Sequence, residues 1–241
     1  MVRGFKTLEK RIIISGKIKA IRDLHIGSGE EKLTPGDVDM KAIKSGEDVY
    51  IPGSSIKGVI RHEAERIAKG LNWDEKVKDC NPPNPNEMCS GEIDERCVVC
   101  QTFGGPGIAS RVKFRDALPL SQIETEIRPG VAIDRDTGTV TPAGPRYMEV
   151  VPRESEFDFE VVCDNPTKDH FELFASAIRS LRDSSLGGGK SRGLGKIEIS
   201  LEKSVIKTAR DYKEGKEGKK VEGDFETIVK GVLAELSESR G

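Results

Sequence analysis

Four of the five cysteines, Cys80, Cys89, Cys97 and Cys100, fall within 21 residues, and Cys97-Val98-Val99-Cys100 is a CxxC pair. In a reducing compartment such clustering points to a metal ion rather than to disulfides. Zinc takes four soft ligands in a tetrahedron, and thiolates in a loop supply them without a core of their own. Binding energy then orders the loop in place of apolar burial. The C-x8-C-x7-C-x2-C spacing departs from a standard zinc ribbon, so His62 is a possible substitute for one cysteine. One CxxC with incidental thiols, or a disulfide pair, are the alternatives. Cys163 takes the inward phase of an alternating run and reads as core.

A second kind of chemistry lies in Gly187-Gly188-Gly189-Lys190-Ser191-Arg192-Gly193-Leu194-Gly195. Glycine lets a phosphate backbone approach main-chain N–H groups, and Lys190 and Arg192 add charge. The order is helix, loop, strand, whereas a mononucleotide P-loop needs strand, loop, helix, so an NTPase is excluded. A permissive loop is the plain alternative. Gly53-Ser54-Ser55-Ile56-Lys57-Gly58 with Arg61 tips the balance, because it places hydroxyls and bases at a helix N-terminus, itself a phosphate site.

Composition limits what these residues can serve. Net charge is -2 and the pI is near 6.1, so the chain is not a globally basic nucleic-acid binder. Any such surface must come from local segregation of charge. Residues 74–97 carry seven acids against three bases, and residues 203–220 carry seven bases against three acids. Charged residues reach 33%, against roughly 25% on average, a bias that suits surface ion-pair networks. Aromatics are only 5%, which argues against base stacking on a sheet and for backbone contacts through loops and helix ends. With no long apolar run and no leader pattern, the chain reads as soluble and cytoplasmic, with no membrane partner.

The elements that must position these residues follow from periodicity. Arg11–Asp23 reads as a strand with Ile12, Ile14 and Ile18 on one face, and Val49–Ile51 as a short one. Ser54-Ser55 offers an N-cap for a helix with the stripe Ile56, Val59, Ile60, Ala64, Ile67 and Ala68. Residues 72–107 are irregular and need tying down. Arg111–Ala117 returns to a strand, and 120–150 reads as a hairpin with Asp136-Thr137-Gly138 near its tip. Phe157, Phe159 and Val161 mark a strand, and Phe171, Phe174, Ala175, Ile178 and Leu181 a helix. Lys196–Leu201 is the next strand, followed by a basic loop and a terminal helix around Phe225–Leu236. The fold class predicted is α+β, a ferredoxin-like or RRM-like βαββαβ core. It forms a single domain over residues 1–241 with insertions at 25–48, 72–107 and 120–150.

Taken together these segments resemble the RAMP superfamily of CRISPR-associated proteins, nearest the repeated backbone subunits of type III (Csm/Cmr-type) effector complexes on the Csm side. Leu24-His25-Ile26-Gly27-Ser28-Gly29 resembles the family's motif after the first strand. Ile51-Pro52-Gly53-Ser54-Ser55-Ile56-Lys57-Gly58 with Arg61 is similar to its IPGSSLKG segment. Cys97–Gly104 resembles its cysteine pair followed by phenylalanine-glycine. Ala132-Ile133-Asp134-Arg135 with Thr137 and Gly138, then Arg146 to Pro152, resembles its thumb hairpin, and Gly187–Gly195 its glycine-rich loop. Each is weak alone; five in order are specific.

The resemblance implies a subunit that polymerises with copies of itself along a CRISPR guide RNA. It implies cleavage of complementary single-stranded target RNA at six-nucleotide intervals, beside a base flipped out by the thumb. Gly36-Asp37-Val38-Asp39 places the catalytic aspartate at Asp39, acting with transient Mg²⁺ or Mn²⁺ and leaving a 2′,3′-cyclic phosphate. RNA contacts are implied at His25, Ser54, Ser55, Lys57, Arg61, Ile133, Arg135, Arg146, Gly188, Gly189, Lys190, Ser191 and Arg192. Arg128 adds charge to the thumb, and Ile133 or Met148 would be its apolar wedge. Structural Zn²⁺ would sit on the cysteines of a lid. Further partners implied are the large signature subunit, the small subunits and a guide-end capping RAMP subunit. The rival expectations are a non-cleaving guide-binding backbone subunit, a repeat-RNA processing endonuclease, and a zinc-ordered module with no RNA role.

Overall fold

The computed structural model describes residues 6–29, 38–141 and 146–238. Gly36 and Asp37 of the Gly-x-x-Asp pattern, and residues 142–145 of the hairpin, lie outside the described residues.

Strand β1 (Lys10–Ala20) is central because its alternate residues Ile12, Ile14 and Ile18 are fully buried. A two-residue-a-side hairpin, β2 (Lys44–Ser45) and β3 (Asp48–Val49), leads into helix α1 (Gly53–Leu71). The Cys-rich lid follows, with three short 3-10 turns and helix α2 (Val98–Phe103). Strand β4 (Val112–Phe114) precedes the hairpin of β5 (Glu126–Gly130) and β6 (Arg146–Val150). Strand β7 (Glu156–Asp164), helix α3 (Lys168–Asp183) and strand β8 (Ile197–Thr208) complete the core. Helix α4 (Ala209–Glu214), strand β9 (Lys219–Glu222) and helix α5 (Phe225–Glu238) are appended.

The main sheet is antiparallel in the order β4-β7-β1-β8-β9. Taking β1, β4, β7 and β8 as the four strands of a βαββαβ unit, that order is the ferredoxin-like one, with β9 added at an edge. Helices α1 and α3 run antiparallel across the buried face. Ser180 Oγ in the last turn of α3 donates to Glu63 Oε2, midway along α1, at 2.6 Å, while Trp73 beyond the end of α1 lines a cavity with Thr167 and His170 at the start of α3. The N-terminus of α1 therefore lies beside the C-terminus of α3, which runs into the glycine-rich loop. Among the described residues, no helix is long and apolar enough to cross a membrane.

Three expectations are corrected. Ser54 and Ser55 do not cap α1: Pro52 holds the cap position without a side-chain bond. The Gly53 N–H instead finds Asp116 Oδ1 at 2.7 Å. The basic stretch after Leu201 is not a loop, since β8 runs on to Thr208. A bulge opposite Ser15 and Gly16 shifts the pairing from Leu201 to Lys203, so the inward phase passes from Ile197, Ile199 and Leu201 to Ser204 and Ile206. Thr208 then caps α4, its hydroxyl accepting from Asp211 N–H at 3.3 Å while the Asp211 carboxylate takes Thr208 N–H at 2.7 Å. Finally, the lid is less irregular than its sequence reads, because Val98–Phe103 is helical.

Candidate nucleic-acid interface and cysteine centre

At one end of the sheet, four stretches far apart in the chain are stitched together. Leu24 and Val151 exchange backbone hydrogen bonds of 2.8 and 2.7 Å. His25 is buried, with Nδ1 2.7 Å from the Glu149 carbonyl. Its own carbonyl accepts Gly188 N–H at 2.8 Å, and the Asp23 carbonyl accepts Gly195 N–H at 2.8 Å. Gly187 sits at φ +81°, and a Cβ there would lie 2.2 Å from the His25 carbonyl oxygen, so only glycine permits this approach. The loop after β1, the base of the hairpin and the glycine-rich loop thus form one unit.

Asp39 joins the same unit. Its Oδ2 accepts the Tyr147 N–H at 2.7 Å. Met40 donates to the Tyr147 carbonyl at 3.1 Å and accepts from Glu149 N–H at 2.9 Å, a parallel bridge onto β6. Met148, Val150 and Leu194 cluster beneath, with Met40 packed against them. Above them lies a cavity of about 330 Å³, floored by Met40, Met148 and Leu194 and rimmed by Arg128, Arg146 and Arg192. An apolar floor under a guanidinium rim suits a base with its phosphates.

The other expected contacts do not line this cavity. Lys190 and Ser191 are exposed on the same 3-10 turn as Arg192. Gly189, at φ +71°, opens that turn. Ile133 is 62% exposed at the thumb tip, beside exposed Arg135. Asp134 builds that tip, its Oδ1 accepting N–H groups of Asp136 and Thr137 at 3.0 and 2.8 Å; these bonds hold its carboxyl below the usual range. Ser54 is exposed and Ser55 and Lys57 half-buried on the first turns of α1. Burial, and then the Arg61 guanidinium, lower the Lys57 pKa.

Several expectations change in kind. Met148 is buried on the cavity floor and is no wedge; exposed apolar residues of the thumb include Ile127, Val131, Ile133, Val140 and Tyr147. His25 Nδ1 and the Gly188 N–H are bonded within the fold, so these two residues hold the loops together from beneath. Arg61 is drawn toward the lid, its Nε 2.8 Å from Glu65 Oε1 and its Nη1 3.1 Å from the Gly104 carbonyl. Its Nη2 is buried with no hydrogen-bond partner. Sequence reasoning missed Glu149, whose carboxylate sits 8% exposed at the thumb base. The available signal was an acid inside the apolar run Met148-Glu149-Val150-Val151.

The four lid cysteines converge, with all sulfurs within 4.8 Å of one another. Ligands at about 2.3 Å from a tetrahedral ion stand roughly 3.8 Å apart, so this set fits one metal ion. The Cys80 and Cys100 sulfurs are 3.5 Å apart, far beyond a bond of about 2.05 Å. Cys97 caps α2, its sulfur accepting Cys100 N–H at 3.5 Å, and Cys89 Sγ accepts Cys97 N–H at 3.5 Å. Arg96 gathers the Cys89 and Gly91 carbonyls at 2.9 and 3.0 Å. Burial pushes the Cys80 thiol up to about 11, so metal binding must displace protons. His62 takes no part: it is exposed on the outer face of α1. Cys163 is buried in the core as expected. The lid is pinned to α3 by His170 Nε2, 3.0 Å from Gln101 Oε1.

Fold and site define a ferredoxin-like protein with a thumb hairpin, a glycine-rich loop and an acidic loop gathered at one end, and a cysteine-bound lid. Residues 17–198 match the RAMP superfamily, and the chain belongs to that superfamily. It is 33% identical over 250 residues to the CRISPR system Cms endoribonuclease Csm3 of Methanocaldococcus jannaschii, covering 98% of this chain and 96% of that protein. The Csm3 endoribonuclease of Methanothermobacter thermautotrophicus is 29% identical, covering 92% of this chain and 96% of its own. A chain in the crystal structure of a Csm3–Csm4 subcomplex of the type III-A CRISPR–Cas interference complex superposes with a TM-score of 0.56 at 27% identity. That match covers 98% of this chain and 99% of the other.

Proposed function

We propose that this chain is the guide-RNA-binding backbone subunit of a type III CRISPR interference complex, cutting complementary RNA beside Asp39. The observation that carries the reading is the cavity of about 330 Å³, where the thumb base and the glycine-rich loop meet the residue after Asp39. Arg128, Arg146 and Arg192 hold ribose-phosphate by charge-assisted bonds. Val131 and Ile133 on the thumb wedge between bases and splay one nucleotide. The 2′-hydroxyl of a splayed nucleotide can align in line with its own 3′-phosphate. Its attack expels the 5′-oxygen of the next nucleotide and leaves a 2′,3′-cyclic phosphate.

Mg²⁺ or Mn²⁺ fits this site as a transient ligand, because such ions bind through one or two carboxylates plus phosphates. It would supply charge stabilisation for the phosphate. Asp39 would hold it, and the Tyr147 N–H keeps that carboxylate oriented. Zn²⁺ on Cys80, Cys89, Cys97 and Cys100 is structural, since four protein ligands leave no open position. Copies of the chain stack along the guide, together with the other type III subunits.

The test is Asp39→Asn in the complex assembled with guide RNA and Mg²⁺. Cleavage of complementary RNA should fall by more than about 10²-fold, with guide and target binding unchanged. Retained cleavage would exclude Asp39. Cutting of free repeat RNA without a guide would favour a processing endonuclease instead.

A further inference from the structure

One buried side chain gathers segments that no RNA contact explains. Glu149 on β6 points inward, and its Oε2 accepts the Ala42 N–H at 3.0 Å. Its Oε1 accepts the Thr125 hydroxyl at 2.6 Å and lies 2.5 Å from Lys44 Nζ. The main chain of the same residue adds the bond to the Met40 carbonyl at 2.9 Å and the contact to His25 Nδ1 at 2.7 Å. One residue thus binds the segment carrying Asp39, the residue that leads into β5 of the thumb, and the turn under the glycine-rich loop.

The chemistry of the partners selects an ionised carboxylate. Ala42 N–H, the Lys44 ammonium and the Thr125 hydroxyl are all donors, and a carboxylate is acceptor-only. An amide in its place would turn an NH2 group toward one of them. Burial opposes the charge, yet Lys44, Thr125 and Ala42 outweigh it and hold the carboxyl below its usual range. The segment needs such a support. Its pairing with β6 is a single-residue bridge at Met40; further backbone bonds include Ile43 N–H to Ile26 and Ser28 N–H to Lys41, at 2.8 and 3.0 Å, and Lys44 pairs with Val49. Ordering each residue costs about 1–2 kcal/mol in backbone entropy, more than an isolated bridge returns.

We propose that Glu149 is the positioning residue of this site, holding residues 38–44 in register with the thumb so that Asp39 stands at the cavity edge. The consequence for cutting rests on the Asp39 reading above. Single-turnover cleavage by the assembled complex, with rate constant and amplitude read separately, tests it. Glu149→Gln should lower the rate constant by about tenfold, with amplitude and guide affinity within about twofold of the parent. Hydrogen exchange at the amides of Ala42 and Ile43 in the free chain should quicken by about tenfold or more. Lys44→Gln, at an exposed position on β2, should move both readouts in the same direction by about threefold. A loss of amplitude at unchanged rate constant would mark a merely structural role and overturn the proposal, as would unchanged exchange at those amides. Should Asp39→Asn still cut, the Asp39 reading fails, and the exchange measurement alone decides whether Glu149 holds the segment.

Discussion

Two glycines in one loop predict different costs for their own replacement. Gly187 and Gly193 sit at φ +81° and +83°, so alanine at either meets the same left-handed backbone penalty, about 1 kcal/mol. They differ in what a Cβ would touch. At Gly193 it meets nothing within 4 Å; at Gly187 it would stand 2.2 Å from the His25 carbonyl oxygen. Relief requires that carbonyl to move, and it is held by Gly188 N–H at 2.8 Å. Losing that bond in a buried setting adds about 1–3 kcal/mol. Gly187→Ala should therefore cost about 2–4 kcal/mol and Gly193→Ala about 1 kcal/mol. Urea unfolding of the metal-loaded chain, with equal slopes for the two variants, measures the difference. Equal stabilities within about 0.5 kcal/mol would mean that the loop is not packed on His25, and the argument for a single stitched unit would fail.

The cysteine centre predicts one equivalent of zinc per chain by elemental analysis, lost in Cys100→Ala and kept in Cys163→Ala. Stripping the metal should destabilise the lid by several kcal/mol, seen as selective proteolysis within residues 72–107; a Cys100→Ala chain retaining a full equivalent would refute the assignment. His170 predicts a pH dependence. Burial, and then the Arg111 charge, lower its pKa from 6.5 to about 3. The unfolded chain therefore takes up a proton below pH 6.5 that the folded chain refuses. Stability is complete above that value and falls with pH through the window, by on the order of 1 kcal/mol per pH unit. His170→Gln should flatten the slope between pH 6.5 and roughly 5; an unchanged slope would show that the ring titrates in the folded chain.

Much of this was legible in the residues themselves, where one local rule decided the outcome. Ile12, Ile14 and Ile18, and Phe157, Phe159 and Val161, alternate because each strand buries one face. The four cysteines are close enough in sequence for a loop to fold them onto one point. What escaped depended on partners elsewhere in the chain. Ser54 and Ser55 fit a local cap, but the first helical N–H is claimed by Asp116, 63 residues on. The strand through Glu202 is hidden by a bulge, which inverts the alternation midway. Glu149 stands out only as an acid in an apolar run; its role is hidden, because its donors come from Ala42, Lys44 and Thr125 and only the fold brings them together.

Two other surfaces could compete for a polyanion, and each sets acids among its bases. The outer face of the main sheet carries Lys17 and Lys19 from β1 among Glu156, Asp158 and Glu160 of β7 and Glu198 and Glu202 of β8. Lys17 lies 3.9 and 3.6 Å from Glu156 and Glu202, and Lys19 lies 2.6 Å from Glu154. The outward residues of these strands include no aromatic ring, so nothing there stacks a base as an RRM sheet does. Three of the seven basic residues of 203–220 are paired with acids. Lys216 and Lys220 stand 2.7 and 2.5 Å from Glu214 and Glu217, and Lys219 pairs with Glu235. At the thumb end the balance is different. Arg128 lies 3.8 Å from Asp23, and among the described residues Arg146 and Arg192 stand in no salt bridge. There, guanidinium charge stands over an apolar floor where the glycine-rich loop, the thumb and the residue after Asp39 meet.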